Sequence, residues 1–298
     1  MAAGGFDQRD QPSLFAPGLL AGKRILITGG GSGLGAAMAL RFGGLGASLL
    51  LWGRRAAVLE ATADSLRAHG AVVATQACDI RDAVAVDAAL QAAWPDGPVD
   101  GLVNNAAASF IAQTDQLSPR AADAILATTL HGAMYCTLAL GRRWIAAGRP
   151  GVVLSILSTS TLTGRAFTVP SAMAKAGVLA MTRSLAVEWG PKGIRCVAIA
   201  PGPFPTEGSE QQLNPGQRAS STARAPGNPL GRVGHPQELA DLAAYLVSDQ
   251  AGFINGEMVV IDGGQHLRSS GAEDLLQWSP EQWAQLRASR ASRAGSGG

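Results

Sequence analysis

The chain has 298 residues, of which 47% are hydrophobic and 15% charged, and its 24 lysines and arginines nearly balance its 22 aspartates and glutamates. This composition suits one large α/β domain, and the net charge of +2 gives no electrostatic reason to expect a nucleic-acid partner or a charged membrane surface. The polar start and the lack of a long unbroken apolar run argue against a signal peptide and a membrane span. Three widely spaced cysteines, Cys78, Cys136 and Cys196, are typical of reduced, mostly buried thiols in a cytoplasmic protein.

Strands and helices are predicted to alternate along most of the chain, after a flexible N-terminal arm at residues 1–22. Short apolar runs indicate strands that are buried on both faces: 23–28, 47–52, 71–78, 99–105, 151–157, 194–200 and 257–262. Segments rich in alanine, leucine and arginine indicate helices: 33–45, 56–69, 82–94, 118–147, 171–189 and 236–248. This alternation predicts one α/β domain at residues 23–264, a Rossmann fold with a doubly wound seven-stranded parallel sheet and helices on both faces.

Two segments do not belong to this alternation of strands and helices. Residues 202–232 are rich in glycine, proline, serine and glutamine, and so long a loop in a compact domain predicts a substrate-binding loop. Residues 265–298 form a C-terminal extension, in which Ser279 and Pro280 are typical of the start of a helix.

The strongest motif is "LITGGGSGLGAAMA" at 26–39, where a predicted strand runs through a glycine-rich turn into a helix. Glycines let the backbone approach a pyrophosphate closely, and the start of the helix offers unpaired N–H groups to it. The motif therefore predicts a dinucleotide site that includes Thr28, Gly29, Gly31, Ser32, Gly33, Leu34 and Gly35.

The end of the second strand predicts which dinucleotide is bound. A site that prefers NAD usually has an acidic residue here to hold the ribose 2′-hydroxyl, but this chain has Gly53, followed by Arg54 and Arg55. An arginine can hold a 2′-phosphate through its planar guanidinium. We therefore expect NADP(H) to be preferred, with NAD(H) possible.

Two further strand ends are expected at the cofactor. Asp79, followed by Ile80, either accepts a hydrogen bond from the adenine amino group or caps the next helix, and the sequence does not decide between these alternatives. Asn105 and Ala106 follow the fourth strand, in a run of small residues that lets the backbone lie against a cofactor.

The motifs "TGGGSGLG", "CDI", "NNAA", "PSAMAKAG", "PGPF" and "GRVGHPQELADLAAYLVSDQAGFINGEMVVIDGG" resemble the short-chain dehydrogenase/reductase family, in order, over residues 20–264. Within the family, "NNAAASFIAQTDQLSP", "PGPFPTEG" and "SPEQW" resemble the 2,4-dienoyl-CoA reductases, which reduce a conjugated dienoyl thioester with NADPH. That subgroup has serine in place of the tyrosine of the general family, four residues before a lysine. Ser171 and Lys175 stand in this arrangement.

The resemblance implies roles for individual residues. Lys175 holds the nicotinamide ribose and Ser158 orients the substrate. The subgroup's own tyrosine falls on Ser160 and its asparagine on His131, whereas the general family's asparagine falls on Thr129. Further cofactor contacts are implied for Pro201, Gly202, Phe204 and Thr206.

Both tyrosines are thus absent, which disfavours ordinary alcohol dehydrogenase activity. Hydride addition to a conjugated thioester gives a delocalised dienolate, which needs hydrogen-bond donors more than an immediate strong acid. His131, Ser158 and Ser160 are the candidate donors, and His131 is the only one that titrates near neutral pH. The alternatives are a cofactor-binding protein without catalysis and a lyase in which His131 moves a proton.

The expected partner is a small-molecule substrate, with an acyl-CoA as one candidate, and no metal is predicted. The basic residues that are candidates for contact with an acyl-CoA are Arg165, Arg218, Arg224 and Arg232. The resemblance also implies a homotetramer or a homodimer, paired through helices 118–147 and 171–189.

Overall fold

Seven parallel strands form one sheet in the order β3-β2-β1-β4-β5-β6-β7. The computed structural model describes residues 15–206, 227–268 and 273–295. The strands are β1 Arg24–Thr28, β2 Ser48–Gly53, β3 Val73–Ala77, β4 Gly101–Asn104, β5 Gly151–Ile156, β6 Ile194–Pro201 and β7 Met258–Ile261. The predicted α/β fold with a doubly wound seven-stranded sheet is therefore confirmed.

The helices fill the connections between the strands, close to their predicted bounds. They are α1 Gly33–Gly44, α2 Ala56–Ala68, α3 Ala83–Ala93, α4 Pro119–Leu126, α5 Gly132–Ala146, α6 Ser160–Thr163, α7 Val169–Trp189, α8 Pro236–Val247 and α9 Pro280–Gly295. One difference is that the predicted helix 118–147 contains a π-helical turn, Ala127–His131, between α4 and α5.

Each face of the sheet is covered by its own set of helices. On one face, α1, α2 and α8 pack against the sheet, with Phe42, Leu59 and Leu239 in the core. On the other face, α3, α5 and α7 bury Leu90, Trp144 and other apolar side chains. Because both faces are covered, the inner strands consist almost entirely of buried residues, which explains their apolar sequences.

The core extends into the predicted N-terminal arm. Leu20 is completely buried, and its N–H donates to the carbonyl of Leu45 at 2.9 Å. Leu20, within the predicted arm at residues 1–22, thus packs with the domain. Residues 1–14 lie outside the described part of the chain.

The helical segment Pro119–Ala146 is, among the described residues, the one helix that is long and apolar enough to cross a membrane by length and composition. Half of its most apolar window is buried within the fold. Cys136, Leu140 and Trp144 of this segment contribute to the core, which accounts for its apolar sequence.

The C-terminal extension begins its helix as predicted. The Ser279 hydroxyl accepts from the N–H of Gln282 at 3.3 Å, and the side chain of Gln282 accepts from the N–H of Ser279 at 2.8 Å. This reciprocal pair is a capping box at the start of α9. Of the predicted substrate loop 202–232, residues 207–226 lie outside the described part, and Arg218 and Arg224 with them.

Candidate cofactor and substrate site

A cavity of about 490 Å³ lies at the carboxyl ends of the strands, where the strand order reverses between β1 and β4. This is the position at which open α/β sheets bind their ligands. Its lining residues are Gly29, Gly31, Ser32, Leu34, Trp52, Gly53, Arg54, Arg55, Val58, Leu59, Cys78, Asp79, Ile80, Asn105, Ala106, Ala107, Ala108, Ser109, Thr128, Ile156, Leu157, Ser158, Ser160, Arg165, Thr168, Ser171, Lys175, Pro201 and Thr206. The part beside Arg54 and Asp79 is called the adenosine end, and the part beside Lys175 the reaction end, after the cofactor and substrate that the sequence predicts there.

The glycine-rich turn leaves room for a ligand because side chains are missing where the backbone is crowded. Gly29 has φ of +67°, a conformation that favours glycine. A Cβ atom at Gly35 would overlap the carbonyl oxygen of Gly29 and stand 2.7 Å from the side-chain nitrogen of Asn105. The turn therefore packs directly against the first turn of α1, whose start has no side-chain cap from Ser32. The N–H groups at this helix start suit a pyrophosphate.

Thr28 and Asn105 join the glycine-rich turn to the end of β4. The Thr28 hydroxyl donates to the carbonyl of Val103 at 3.2 Å and accepts from the N–H groups of Asn105 and Ala106, both at 3.1 Å. The Asn105 amide donates to the carbonyls of Thr28 at 3.0 Å and Gly29 at 3.2 Å. Both predicted cofactor residues thus hold the shape of the turn, and only Asn105 lines the cavity.

The adenosine end of the cavity has a strongly cationic edge. Arg54 and Arg55 line it, and neither side chain has a hydrogen bond or ion pair with the described residues. Asp79 also lines it and forms an ion pair with Arg81. This hydrogen-bonded pair lowers the pKa of the Asp79 carboxyl despite partial burial, and the charge of Arg54 adds to the effect.

The alternative in which Asp79 caps the next helix is wrong. The cap of α3 is Asp82, whose side chain accepts from the N–H groups of Val84 at 2.8 Å and Ala85 at 3.1 Å. Asp79 is left facing the cavity.

Lys175 is buried at the reaction end of the cavity and is only 8% exposed. Its ammonium donates to the backbone carbonyl of Ile156, at the end of β5. Burial lowers the pKa of Lys175 to about 8, because a low-dielectric environment disfavours the charged form. The ammonium is thus held in one position beside the cavity, where it can donate to a ligand.

Three serines line the cavity beside Lys175. Ser171 lies on α7, one turn before Lys175. Ser158 follows β5, and its hydroxyl accepts from the N–H of Ser160 at 3.3 Å. The structure thus brings Ser158, Ser160, Ser171 and Lys175 to one wall of the cavity, as the sequence suggested.

His131, the remaining catalytic candidate, is not among the residues that line this cavity. It is the last residue of the π-helical turn, its side chain is exposed, and its ring lies 6.1 Å from that of Tyr135. Thr128, in the same turn, lines the cavity instead. The described structure thus places His131 outside the cavity lining, and the catalytic role of His131 stays a prediction.

Thr129, in the position of the general family's asparagine, positions a cavity wall. Its hydroxyl accepts from the N–H of Ala108 at 3.0 Å and donates to the carbonyl of the same residue at 3.3 Å. The loop at residues 106–109 is thereby held against the π-helical turn. Sequence reasoning missed this role, since the two residues are 21 positions apart.

Four other predicted cofactor residues do not line the cavity: Gly33, Gly35, Gly202 and Phe204. Gly33 and Gly35 belong to the turn and helix start, and Gly202 packs against Asp262. Phe204 is buried below Gly234, in a second and smaller cavity. Residues that line the main cavity without a clear sequence signal include Trp52, Ser109, Thr128 and Thr168.

Known proteins resemble this chain in sequence. Residues 29–266 match the family model described as enoyl-(acyl carrier protein) reductase. A probable 2,4-dienoyl-CoA reductase of Bacillus subtilis is 42% identical over 248 residues, which cover 82% of this chain and 97% of that protein.

Solved structures agree as well. A short chain dehydrogenase from Bacillus anthracis is 38% identical with a TM-score of 0.75, covering 83% of this chain and 98% of that one. A putative 2-deoxy-d-gluconate 3-dehydrogenase from Agrobacterium tumefaciens, with bound NADP, is 31% identical with a TM-score of 0.76, covering 84% and 98%. The chain belongs to the short-chain dehydrogenase/reductase family of oxidoreductases.

Proposed function

We propose that this protein is an NADPH-dependent reductase of a conjugated enoyl or dienoyl thioester. The observation that carries the proposal is the chemistry of the reaction end, where serine hydroxyls and a buried lysine line the cavity. The only tyrosines, Tyr135 and Tyr245, do not line it. The similarity to a probable 2,4-dienoyl-CoA reductase supports this choice of substrate.

The residues of the cavity fit a phosphorylated dinucleotide. Gly35 lies so close to the carbonyl of Gly29 that it has no room for a side chain. The backbone of the turn is therefore open to a pyrophosphate. At the adenosine end, Gly53 supplies no carboxylate, and Arg54 and Arg55 present guanidinium groups that suit a 2′-phosphate. A similar solved structure contains NADP, which supports the same preference here.

When bound, the reduced nicotinamide supplies a hydride, and the other tasks fall to side chains of this chain. The Lys175 ammonium, fixed by its bond to Ile156, orients the ribose hydroxyls. Ser158, Ser160 and Ser171 supply neutral donors to the thioester oxygen. Such donors stabilise negative charge that develops on this oxygen without having to transfer a proton at once.

This division of tasks explains how the reaction proceeds without a tyrosine. Reduction of a simple ketone gives a localised alkoxide, which must be protonated as it forms, and a serine hydroxyl is a poor acid for that purpose. A dienolate spreads its charge over several atoms, so hydrogen bonds to the oxygen suffice until water delivers the proton to carbon.

We also propose that the protein forms a homotetramer or homodimer in the cytoplasm. Apolar and small side chains are exposed along one side of α7, including Met173, Ala176, Ala180 and Val187. A second copy would cover these side chains. The mass in solution, measured by light scattering at micromolar concentration, tests this, and a monomer would contradict it.

The experiment that tests the activity is NADPH oxidation by the purified chain with a 2,4-dienoyl-CoA, followed by identification of the product. We expect consumption of NADPH matched by loss of one carbon–carbon double bond. A saturated ketone with NADPH, or a simple alcohol with NADP⁺, should give at most a trace rate. If NADPH binds but no dienoyl or enoyl thioester is reduced, the protein is a cofactor-binding member of the family. Conversion of a carbonyl substrate without nucleotide turnover would instead indicate a lyase.

A further inference from the structure

A carboxylate and three arginines meet beside the adenosine end of the cavity, on the loops that follow β2 and β3. The two strands are neighbours, with Gly53 opposite Ala77, and the N–H of Cys78 donates to the carbonyl of Gly53 at 2.9 Å. The two loops therefore leave the sheet side by side. One carries Arg54 and Arg55, and the other carries Asp79 and Arg81.

Arg81 holds both oxygens of the Asp79 carboxylate. Its Nε donates to Oδ1 at 2.9 Å and to Oδ2 at 3.0 Å, and its Nη2 donates to Oδ2 at 2.5 Å. The backbone N–H of Arg81 donates to Oδ1 as well, at 3.1 Å. Such a bidentate pair fixes the orientation of the carboxylate as well as balancing its charge.

The other two arginines are not paired in this way. Arg54 and Arg55 have no hydrogen bond or ion pair within the described ranges, although the charge of Arg54 contributes to lowering the pKa of Asp79. A carboxylate that was not already paired would attract Arg54 into an ion pair. It would also repel a phosphate placed between the two loops.

We propose that Arg81 is a positioning residue for recognition of the cofactor's 2′-phosphate: it occupies Asp79 and so leaves Arg54 and Arg55 available for the phosphate. This inference rests on the proposed preference for NADPH. Arg81 does not itself line the cavity, and it acts through Asp79. The side chain of Arg81 is 41% exposed and that of Asp79 is 35% exposed, so solvent screens the pair. This screening limits how much Arg81 can contribute to the affinity for the cofactor.

The test measures dissociation constants for NADPH and NADH by isothermal titration calorimetry at low ionic strength. Arg81→Met should weaken NADPH binding by about 5-fold, the upper range for a partly exposed ion pair, and leave NADH binding within about 1.5-fold. Asp79→Asn in the Arg81→Met background should restore NADPH binding, because the unpaired negative charge is then removed. The Arg81→Met effect should shrink as salt is added.

Arg67→Met is the matched control. Arg67 is also 41% exposed and pairs with two carboxylates, Glu60 and Asp64, but these residues do not line the cavity. Arg67→Met should leave the ratio of the two dissociation constants unchanged.

Arg54→Met separates failure of this inference from failure of the proposed function. If Arg54→Met changes the ratio and Arg81→Met does not, the role of Arg81 is overturned while the NADPH preference stands. If Arg81→Met weakens both cofactors equally, or the Asp79→Asn change gives no rescue, Arg81 acts through the fold and the inference is again wrong. If Arg54→Met and Arg81→Met both leave the ratio unchanged, the phosphate is held elsewhere and the role of Arg81 is overturned. The NADPH preference itself fails only if the parent binds NADPH no more tightly than NADH.

Discussion

The ammonium of Lys175 donates to the backbone carbonyl of Ile156, so a charge buried in helix α7 is fixed to the end of strand β5. Among the described residues this carbonyl is its only hydrogen-bond partner. Burial lowers the pKa of Lys175 from 10.5 to about 8. Keeping this lysine charged in the folded state therefore lowers the free energy of unfolding.

Lys175→Met should increase stability and remove activity. The pKa difference corresponds to on the order of 3 kcal/mol at pH 7 as an upper limit, from which the lost hydrogen bond to Ile156 subtracts. We expect the melting temperature at pH 7 to rise by a few degrees, while turnover falls by ~10²-fold or more. Calorimetry and steady-state kinetics measure the two effects. Lys192→Met, at an exposed lysine, is the control and should change neither.

The same pKa gives the pH dependence of stability a definite sign. Between pH 8 and 10.5 the unfolded chain holds a proton on Lys175 that the folded chain has released, so this residue makes stability rise with pH across that window. Below pH 8 Lys175 is charged in both states, so the free energy by which its burial destabilises the fold does not change with pH. The difference in unfolding free energy between Lys175→Met and the parent should thus shrink from pH 8 to pH 10.5. A difference that stays constant would mean that the folded pKa is ordinary.

Cofactor binding should show the opposite trend, because it needs the ammonium. The affinity for NADPH should fall as pH rises above about 8, as Lys175 loses the proton that it donates. Titrations across this range with the parent and with Lys175→Met isolate the effect, since the variant should lack this decline. A parent affinity that is flat through pH 9 would exclude a role for the Lys175 charge in binding.

The glycine-rich turn and the strands could be predicted because their signals are local. A buried strand is a short apolar run, and the turn is a run of glycines between strand and helix. The contacts that hold the site together are not local: Thr129 bonds to Ala108, and Asn105 bonds to Gly29. No spacing rule connects residues so far apart in the chain.

His131 shows why a residue's position in the sequence does not fix its direction. A π-helical turn has a wider repeat than an α-helix, so the side chains on either side of it are rotated relative to the α-helical pattern. The turn Ala127–His131 thus directs Thr128 to the cavity and leaves His131 exposed. Apolar periodicity contains no signal for such a turn.

Gly35→Ala should abolish dinucleotide binding and destabilise the protein. The added Cβ would overlap the backbone carbonyl of Gly29, which cannot move without opening the turn. We expect NADPH binding to become too weak to measure by calorimetry. Gly44→Ala, at the other end of α1, is the matched control because a Cβ there meets nothing within 4 Å. It should gain up to about 1 kcal/mol through helix propensity. Equal behaviour of the two variants would contradict the close packing of the turn.

Thr28→Val should separate shape from hydrogen bonding in the same turn. Valine keeps the volume but leaves the N–H of Ala106 without its acceptor, whereas the N–H of Asn105 keeps its bond to the carbonyl of Val103 at 3.1 Å. An unpaired donor costs about 1–3 kcal/mol, so the free energy of unfolding should fall by about 1 kcal/mol or more, with weaker NADPH binding. Thr28→Ser keeps the hydroxyl and should retain most of both. Denaturant unfolding and NADPH titration give the comparison, and a stable, tightly binding valine variant would show that the hydroxyl is dispensable.

The last prediction identifies the groups that stabilise the substrate oxygen. Ser158 and Ser171 line the cavity beside Lys175, whereas the exposed His131 does not. Removal of one donor to a developing oxyanion typically lowers turnover by ~10²–10³-fold. We therefore expect Ser158→Ala to lower kcat to that extent and Ser171→Ala to have a smaller effect, while His131→Ala keeps the rate within about 3-fold.

These three variants should bind NADPH like the parent, because the changes are away from the adenosine end and leave Lys175 in place. Single-turnover rates with a dienoyl thioester measure the chemical step directly and avoid any limit set by product release. If His131→Ala lowers the single-turnover rate by ~10²-fold with NADPH affinity unchanged, the histidine contacts the substrate oxygen in the reacting complex. The π-helical turn would then have to rearrange when substrate binds, since His131 does not reach the cavity in the described structure.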